Sequence, residues 1–284
     1  LKVPEGLIAS FRTALLNRSV APALLAEVLD LPGIGYLGDF MDTVDIDGLY
    51  LARQHLRQVI GRELGAELRD TYERMRDDRT YRPTPEDIGR RSLKNRVLAY
   101  LMASGDEQGA RVCEAQYQAQ HNMTDVMAAL ALLADSELPA RDDALADFER
   151  RWRGDPLVMD KWFAVQAISA RTDTLAQVRQ LMAHPAFAMH NPNKVRALVG
   201  SFANANPVRF HAADGSGYAF LQEQVLALDP ANPQIAARLL RAVSRWQRYD
   251  GGRQEKMRAV LEGVVAAKVS RDVYEIAVKS LDAG

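Results

Sequence analysis

The chain has one cysteine, Cys113, in 284 residues, so it can build neither an internal disulfide framework nor a Cys-rich zinc site. It has no long hydrophobic run: Val126 to Ala134 is stopped by Asp135, far short of the ~20 apolar residues a membrane span needs. It has no excess charge of either sign, with 36 Lys and Arg against 37 Asp and Glu and a net charge of -1. That balance argues against a whole-surface nucleic-acid binder and leaves room only for a local basic patch. A signal-type segment is also missing, and the chain opens Leu1-Lys2-Val3-Pro4 without an initiator Met, the expected start of a piece of something longer. What is present is ordinary for a globular protein: 48% hydrophobic and 26% charged residues, enough apolar side chain to bury a core. No linker, low-complexity segment or charge block divides the sequence, so residues 1–284 are expected to form a single helical-repeat domain.

Apolar residues recur with helical spacing nearly everywhere. Leu93, Val97, Tyr100 and Leu101 fall at i, i+4, i+7 and i+8; Val195, Leu198, Val199 and Phe202 fall at i, i+3, i+4 and i+7. Ile235, Leu239, Ala242, Val243 and Trp246 extend the same rule over three turns. Sustained alternation of period two is missing, and Asp47-Gly48 and Asp214-Gly215 are flanked by helical patterns, not by strand-like runs. The prediction is an all-α chain. Breakers at Arg82 to Pro85, Ser104-Gly105, Leu138-Pro139, Asn191-Pro192, Asn206-Pro207 and Gly251-Gly252 cut it into short helices. Asn191-Pro192 has the form of an N-cap followed by proline at the first helical position. Many short amphipathic helices in series predict an irregular armadillo- or HEAT-like solenoid of antiparallel helix pairs, although no fixed-period repeat is visible.

Catalytic constellations are scarce. None of His55, His121, His184, His190 and His211 belongs to an H-E-x-x-H helix, and His184 and His190 are too far apart for one helix face. The run Thr43 to Gly48 has the rhythm of a calcium loop but lacks its first and last acids, where Thr43 and Gln54 stand, so a capped turn into a helix near Leu49 is expected. Gly215-Ser216-Gly217 follows no strand and is expected to be a turn before a helix from Tyr218. Cys113 sits in a helical pattern without a His at helical spacing and is expected in the core, as are Trp152, Trp162, Phe163 and Trp246.

One compositional feature has no ready explanation in packing. Between Pro230 and Tyr249 there is no acid, yet the segment holds Arg238, Arg241, Arg245 and Arg248. On one helix, Gln234, Arg238, Arg241 and Arg245 would form a polar stripe beside the apolar one. Ala186 to Ala213 is similar, with Lys194, Arg196 and Arg209 and no acid. Like charges at i, i+3 and i+4 cost a few tenths of a kcal/mol per pair. Either acids on neighbouring helices neutralise these faces, or the faces accept an anion from outside.

Several long strings carry a resemblance. Asn122-Met123-Thr124-Asp125, Leu157-Val158-Met159-Asp160-Lys161-Trp162-Phe163, Asn191-Pro192-Asn193, Phe210-His211-Ala212-Ala213-Asp214-Gly215-Ser216-Gly217-Tyr218, Asn232-Pro233-Gln234 and Gln254-Glu255-Lys256-Met257-Arg258 are collinear with the C-terminal region of the bacterial aminopeptidase N family. The chain resembles that region along its whole length, most densely from residue 121 onward. The resemblance implies a four-domain, broad-specificity zinc aminopeptidase as the parent, with a last domain that is a helical superhelix closing over the catalytic domain. It also implies that Arg196, Gln234 and Arg238 line the substrate cavity, which coincides with the acid-free segments; Arg241, Arg245 and Arg248 get no such support. The family's H-E-x-x-H helix, its distal glutamate and its G-x-M-E-N segment are absent from the sequence. No catalytic or metal-binding residue is therefore assigned here, zinc is expected in the parent's catalytic domain, and the chain alone is expected to be inactive.

The leading expectation is a non-catalytic C-terminal domain of a cytoplasmic zinc aminopeptidase. Its partners would be the parent's own catalytic domain and peptide substrates, with no nucleic acid and no membrane. The alternative is a free-standing helical-repeat scaffold whose basic face binds an acidic protein. An enzyme with its own active site has least support.

Overall fold

The structure is a computed structural model, describing residues 1–77 and 79–282. All regular elements among the described residues are helical, and no strand is present among them. By contact density the chain divides into two compact units: residues 1–32 with 50–146, and residues 33–49 with 147–284.

The first unit is organised around the helix Pro85–Ala103, which packs against the helices Pro22–Val28, Gly65–Met75, Glu107–Ala119 and Met123–Ala134. Thr84 caps that helix by accepting from the Asp87 N–H, and Pro85 fills its first turn, where a missing N–H costs nothing. Leu93, Val97, Tyr100 and Leu101 are all buried, as their spacing predicts. The close approach of neighbouring helices depends on small residues: a Cβ on Gly61 would stand 2.4 Å from the Tyr100 carbonyl oxygen, and one on Gly109 would stand 2.3 Å from that of Leu101. Inside the unit, the Lys94 ammonium lies 2.6 Å from Asp125 Oδ2, and Asn95 and Asn122 also donate to that carboxylate. The string Asn122-Met123-Thr124-Asp125 is thus an N-cap joined to a buried ion pair.

In the second unit, the helix Pro156–Ala167 packs against the turn Arg196–Gly200 and the helix Thr174–Leu181, while Pro233–Leu240 and Gly251–Ala266 each pack on Arg271–Asp282. Three Asn-Pro pairs start helices here. The side chains of Asn191, Asn206 and Asn232 accept from N–H groups two or three residues on. Gly215 takes a positive φ of 81° and, with Asp214 Oδ1 accepting from the Ser216 N–H, forms the expected turn before the helix Ser216–Leu228. Gly217 is required by its surroundings, since a Cβ there would stand 2.2 Å from the Phe210 carbonyl oxygen.

Two local expectations are corrected. The helix expected from Gln234 beyond Arg245 stops at Leu240 and tightens into a 3-10 turn, Arg241–Val243, after which Arg245 is no longer helical. The chain is drawn off the helical path by distant partners: the Val44 N–H donates to the Arg248 carbonyl, and Arg248 Nη2 donates to the carbonyls of Gly38 and Met41. The helix expected near Leu49 begins at Ile46, with Asp45 Oδ1 accepting from the Gly48 N–H at 2.8 Å.

Candidate functional site: the acid-free helices of the second unit

The helix Pro233–Leu240 buries Ala236, Ala237, Leu239 and Leu240 against the helices Ser216–Leu228 and Arg271–Asp282. That burial turns Gln234 and Arg238, at i and i+4, to the exposed side. No hydrogen bond or ion pair engages either side chain among the described residues, so a guanidinium and an amide stand free on one face. Arg241, three residues beyond Arg238, is also exposed and has no acidic partner among them. Arg245 and Arg248 behave differently. Arg245 Nη2 lies 3.3 Å from Asp39 Oδ1, and Arg248 is committed to the Gly38 and Met41 carbonyls with Asp39 at 3.9 Å. Tertiary neutralisation therefore holds for these last two arginines.

The second acid-free segment sorts in the same way. Lys194 is buried, its Nζ 2.7 Å from Asp160 Oδ1 and 2.7 Å from the Pro156 carbonyl oxygen, above the Phe163 ring. Arg209 donates from Nε to the Ala170 carbonyl at 2.6 Å. Arg196 is exposed and donates only to Asn193 Oδ1, at 3.0 Å, a neutral partner on its own turn. It opens a π-helical turn, Arg196–Gly200, the kind of local widening that often accompanies a functional site. Gln234 and Arg238 thus share one face, while Arg196 stands on a segment whose principal packing neighbours are different.

The remaining chemistry-bearing groups are occupied. Cys113 is fully buried, its thiol pushed up to about 12 by burial, and its Sγ donates to the Ala129 carbonyl. Asp47, from the calcium-like run, pairs with Arg253 at 2.7 Å. A cavity of about 140 Å3 in the first unit is walled by Tyr72, Lys94, Gln116 and Asp125, which already bond to one another. No group of three or more His, Cys, Asp or Glu side chains among the described residues is arranged to hold a metal ion. The donor set here therefore does not fit zinc. No helix among them is long and apolar enough to cross a membrane.

Sequence reasoning missed the cluster around His211. Its Nδ1 lies 2.9 Å from the Tyr218 hydroxyl and its Nε2 3.2 Å from that of Tyr249, whose ring stacks on the imidazole. Arg253, held by Asp47 and Asp250, donates to the His211 carbonyl. Burial first, and the Arg253 charge second, push the His211 pKa down to about 4, so the ring is neutral. Only the seven-residue spacing of His211 and Tyr218 could have signalled it; Asp47, Tyr249 and Arg253 are remote in sequence.

Comparison with known proteins matches the chain to a family. The family described as "Domain of unknown function (DUF3458_C) ARM repeats" matches residues 1–282. The chain is 39% identical over 282 residues to aminopeptidase N of Escherichia coli, covering 99% of this chain and 32% of that protein. It is 39% identical over 270 residues to aminopeptidase N of Caulobacter vibrioides, covering 94% of this chain and 31% of that protein. The similarity is to the C-terminal region of those proteins. A crystal structure of Legionella pneumophila aminopeptidase A, in complex with aspartic acid, superposes with a TM-score of 0.91 at 30% identity, covering 100% of this chain and 34% of that one. The chain spans about a third of the length of the relatives it matches.

Proposed function

The chain belongs to the DUF3458_C family of ARM-repeat domains, and from that premise we propose that it is the non-catalytic C-terminal domain of a zinc metallo-aminopeptidase. In this reading it caps the catalytic domain and lines the cavity in which peptides lose their N-terminal residues. The observation that carries the proposal is the free row Gln234–Arg238 on an acid-free helix, with Arg196 exposed on a second one. Gln234 and Arg238, engaged by nothing among the described residues, are suited to a ligand because no internal hydrogen bond must be broken to bind it, and Arg196 gives up only its bond to Asn193. Arg238 and Arg196 would hold peptide carboxylates or carbonyls, and the Gln234 amide can both donate to and accept from a peptide backbone.

The domain's share of catalysis is positional. A wall that excludes bulk water strengthens every charge interaction inside the cavity, and a held peptide presents its scissile bond in fewer orientations. Zinc, where bound in the parent, would supply a polarised carbonyl and an activated water; none of this chain's described donors is disposed to hold it. A cytoplasmic setting belongs to the same proposal and agrees with a lone, buried, free thiol.

Arg238→Ala in the intact enzyme tests the reading. Arg238 is exposed beside, not within, the buried face of Ala236, Leu239 and Leu240, so its removal leaves packing in place. Loss of a charge-assisted contact is worth about 1.5–3 kcal/mol, or roughly 10- to 150-fold in kcat/KM, on peptides long enough to reach it. Short chromogenic substrates are expected to lose much less. Unchanged kinetics on every peptide would reject the cavity assignment and favour a scaffold with an acidic protein partner.

A further inference from the structure

The 3-10 turn that ends the helix Pro233–Leu240 does more than stop it. In an α-helix, side chains at i and i+3 are neighbours on one side of the axis. The 3-10 turn begins at Arg241, whose backbone still has helical angles, φ -58° and ψ -20°. Arg241, the C-cap of the helix, therefore still stands at i+3 from Arg238 on the same side, while Arg245, beyond the turn, leaves that line for Asp39. Ser244 Oγ donates to the Arg241 carbonyl at 2.8 Å and satisfies the backbone where the helix breaks. Two exposed arginines are left three residues apart on one side of the helix end, with no acid between Pro230 and Tyr249 and no acidic partner among the described residues. Their mutual repulsion is relieved by an anion placed between them.

We infer that Arg238 and Arg241 form a two-guanidinium clamp for a single carboxylate of the bound peptide, downstream of the scissile bond, making Arg241 a specificity-determining residue. The inference rests on the proposed cavity reading and adds a residue and a substrate preference to it. Arginine suits this task because its planar fork grips a carboxylate through two parallel hydrogen bonds. The carboxylate can be the peptide's own C-terminus or an Asp or Glu side chain, and both present the same chemistry.

The experiment uses the intact enzyme and matched peptides: free acid against C-terminal amide, and a downstream Asp against Asn. Arg241→Ala is expected to lower kcat/KM roughly fivefold for the carboxylate member of a pair, the upper range for an exposed ion pair, and to leave its neutral counterpart unchanged. Arg241→Glu is expected to reverse the preference within the pair, which a merely structural role would not do. The pair of peptides that shows the effect identifies the source of the carboxylate. If Arg238→Ala impairs long peptides but both Arg241 variants treat each pair as wild type does, the clamp is wrong and the cavity reading stands. If Arg238 and Arg241 variants are all without effect, both fall. Equal losses on all peptides with a lowered Tm would make Arg241 a structural residue and overturn the clamp.

Discussion

Removing the carboxylate of Asp160 tests whether partners, not composition, decide which cations of the acid-free segments are available. Lys194 lies two residues from Arg196, yet its side chain is only 7% exposed and its Nζ contacts Asp160 Oδ1 and the Pro156 carbonyl oxygen, each at 2.7 Å. In Asp160→Asn the ammonium keeps one neutral acceptor and loses its counter-charge. Breaking a buried pair from one side costs about 3–5 kcal/mol, and the partial exposure of Asp160, 18%, puts the expectation near the lower end, at about 3 kcal/mol. Lys194→Met leaves Asp160 with partial solvent access but a buried, unpartnered Oδ1, so about 2 kcal/mol is expected there. The double variant removes the stranded charge, so the losses are expected to fall short of additivity by about 2 kcal/mol. The chain's 3 tryptophans, Trp152, Trp162 and Trp246, all lie in the second unit, so fluorescence during urea unfolding reports on the unit that holds the pair. Single variants within about 0.5 kcal/mol of wild type, or fully additive losses, would refute the reasoning.

Two further outcomes are expected. His211 is neutral in the fold with a pKa near 4 against 6.5 for an ordinary imidazole, so the unfolded chain takes up a proton first as pH falls. Its contribution to stability is complete above pH 6.5 and declines between 6.5 and 4, by up to about 3 kcal/mol. Urea midpoints measured across that range should fall in wild type and flatten in His211→Gln; a flat wild-type profile would contradict the assignment. Gly217→Ala forces a Cβ against the Phe210 carbonyl oxygen and should cost about 1–3 kcal/mol, whereas Gly6→Ala, with open space around it, should be neutral or slightly stabilising. Equal effects in thermal unfolding would show that the tight approach at Gly217 is not maintained in solution.

Where a helix depends on its own sequence, the sequence showed it. Leu93, Val97, Tyr100 and Leu101 needed only their spacing to be placed in the core, and each Asn-Pro pair carries its cap and its first-turn proline within a few residues. The same logic failed at Leu240. Ile235, Leu239, Ala242, Val243 and Trp246 keep a helical rhythm through a stretch where the backbone is no longer α-helical, because the rhythm records burial and not hydrogen-bond pattern. Trp246 donates from Nε1 to the Ser280 carbonyl, and Arg248 is held by residues some two hundred positions earlier. Periodicity has no access to partners at that separation. The π-helical turn at Arg196–Gly200 was concealed for the opposite reason: Val195, Leu198, Val199 and Phe202 are all buried as expected, although the turn between them is widened.

The candidate site was half legible for a related reason. An acid-free segment identifies cations that cannot be neutralised locally, but neutralisation from a distance leaves no local trace. Lys194 and Arg196 share one turn and one composition; Asp160, from the helix Pro156–Ala167, takes up the first and leaves the second. Arg241 and Arg245 differ in the same way, through Asp39. The resemblance to aminopeptidase N selected Arg196, Gln234 and Arg238, and the structure independently leaves those side chains exposed and without an acidic partner, which spacing alone could not have done. Arg241 was set aside with Arg245 and Arg248 because the resemblance supported none of the three. Once Arg245 is seen to pair with Asp39 and Arg248 to bond the Gly38 and Met41 carbonyls, Arg241 is left with Arg238, both exposed and without an acidic partner among the described residues. A single exposed arginine binds a carboxylate weakly in competition with water, whereas two adjacent ones, already bearing the cost of their proximity, gain from the ligand what they lose to each other without it.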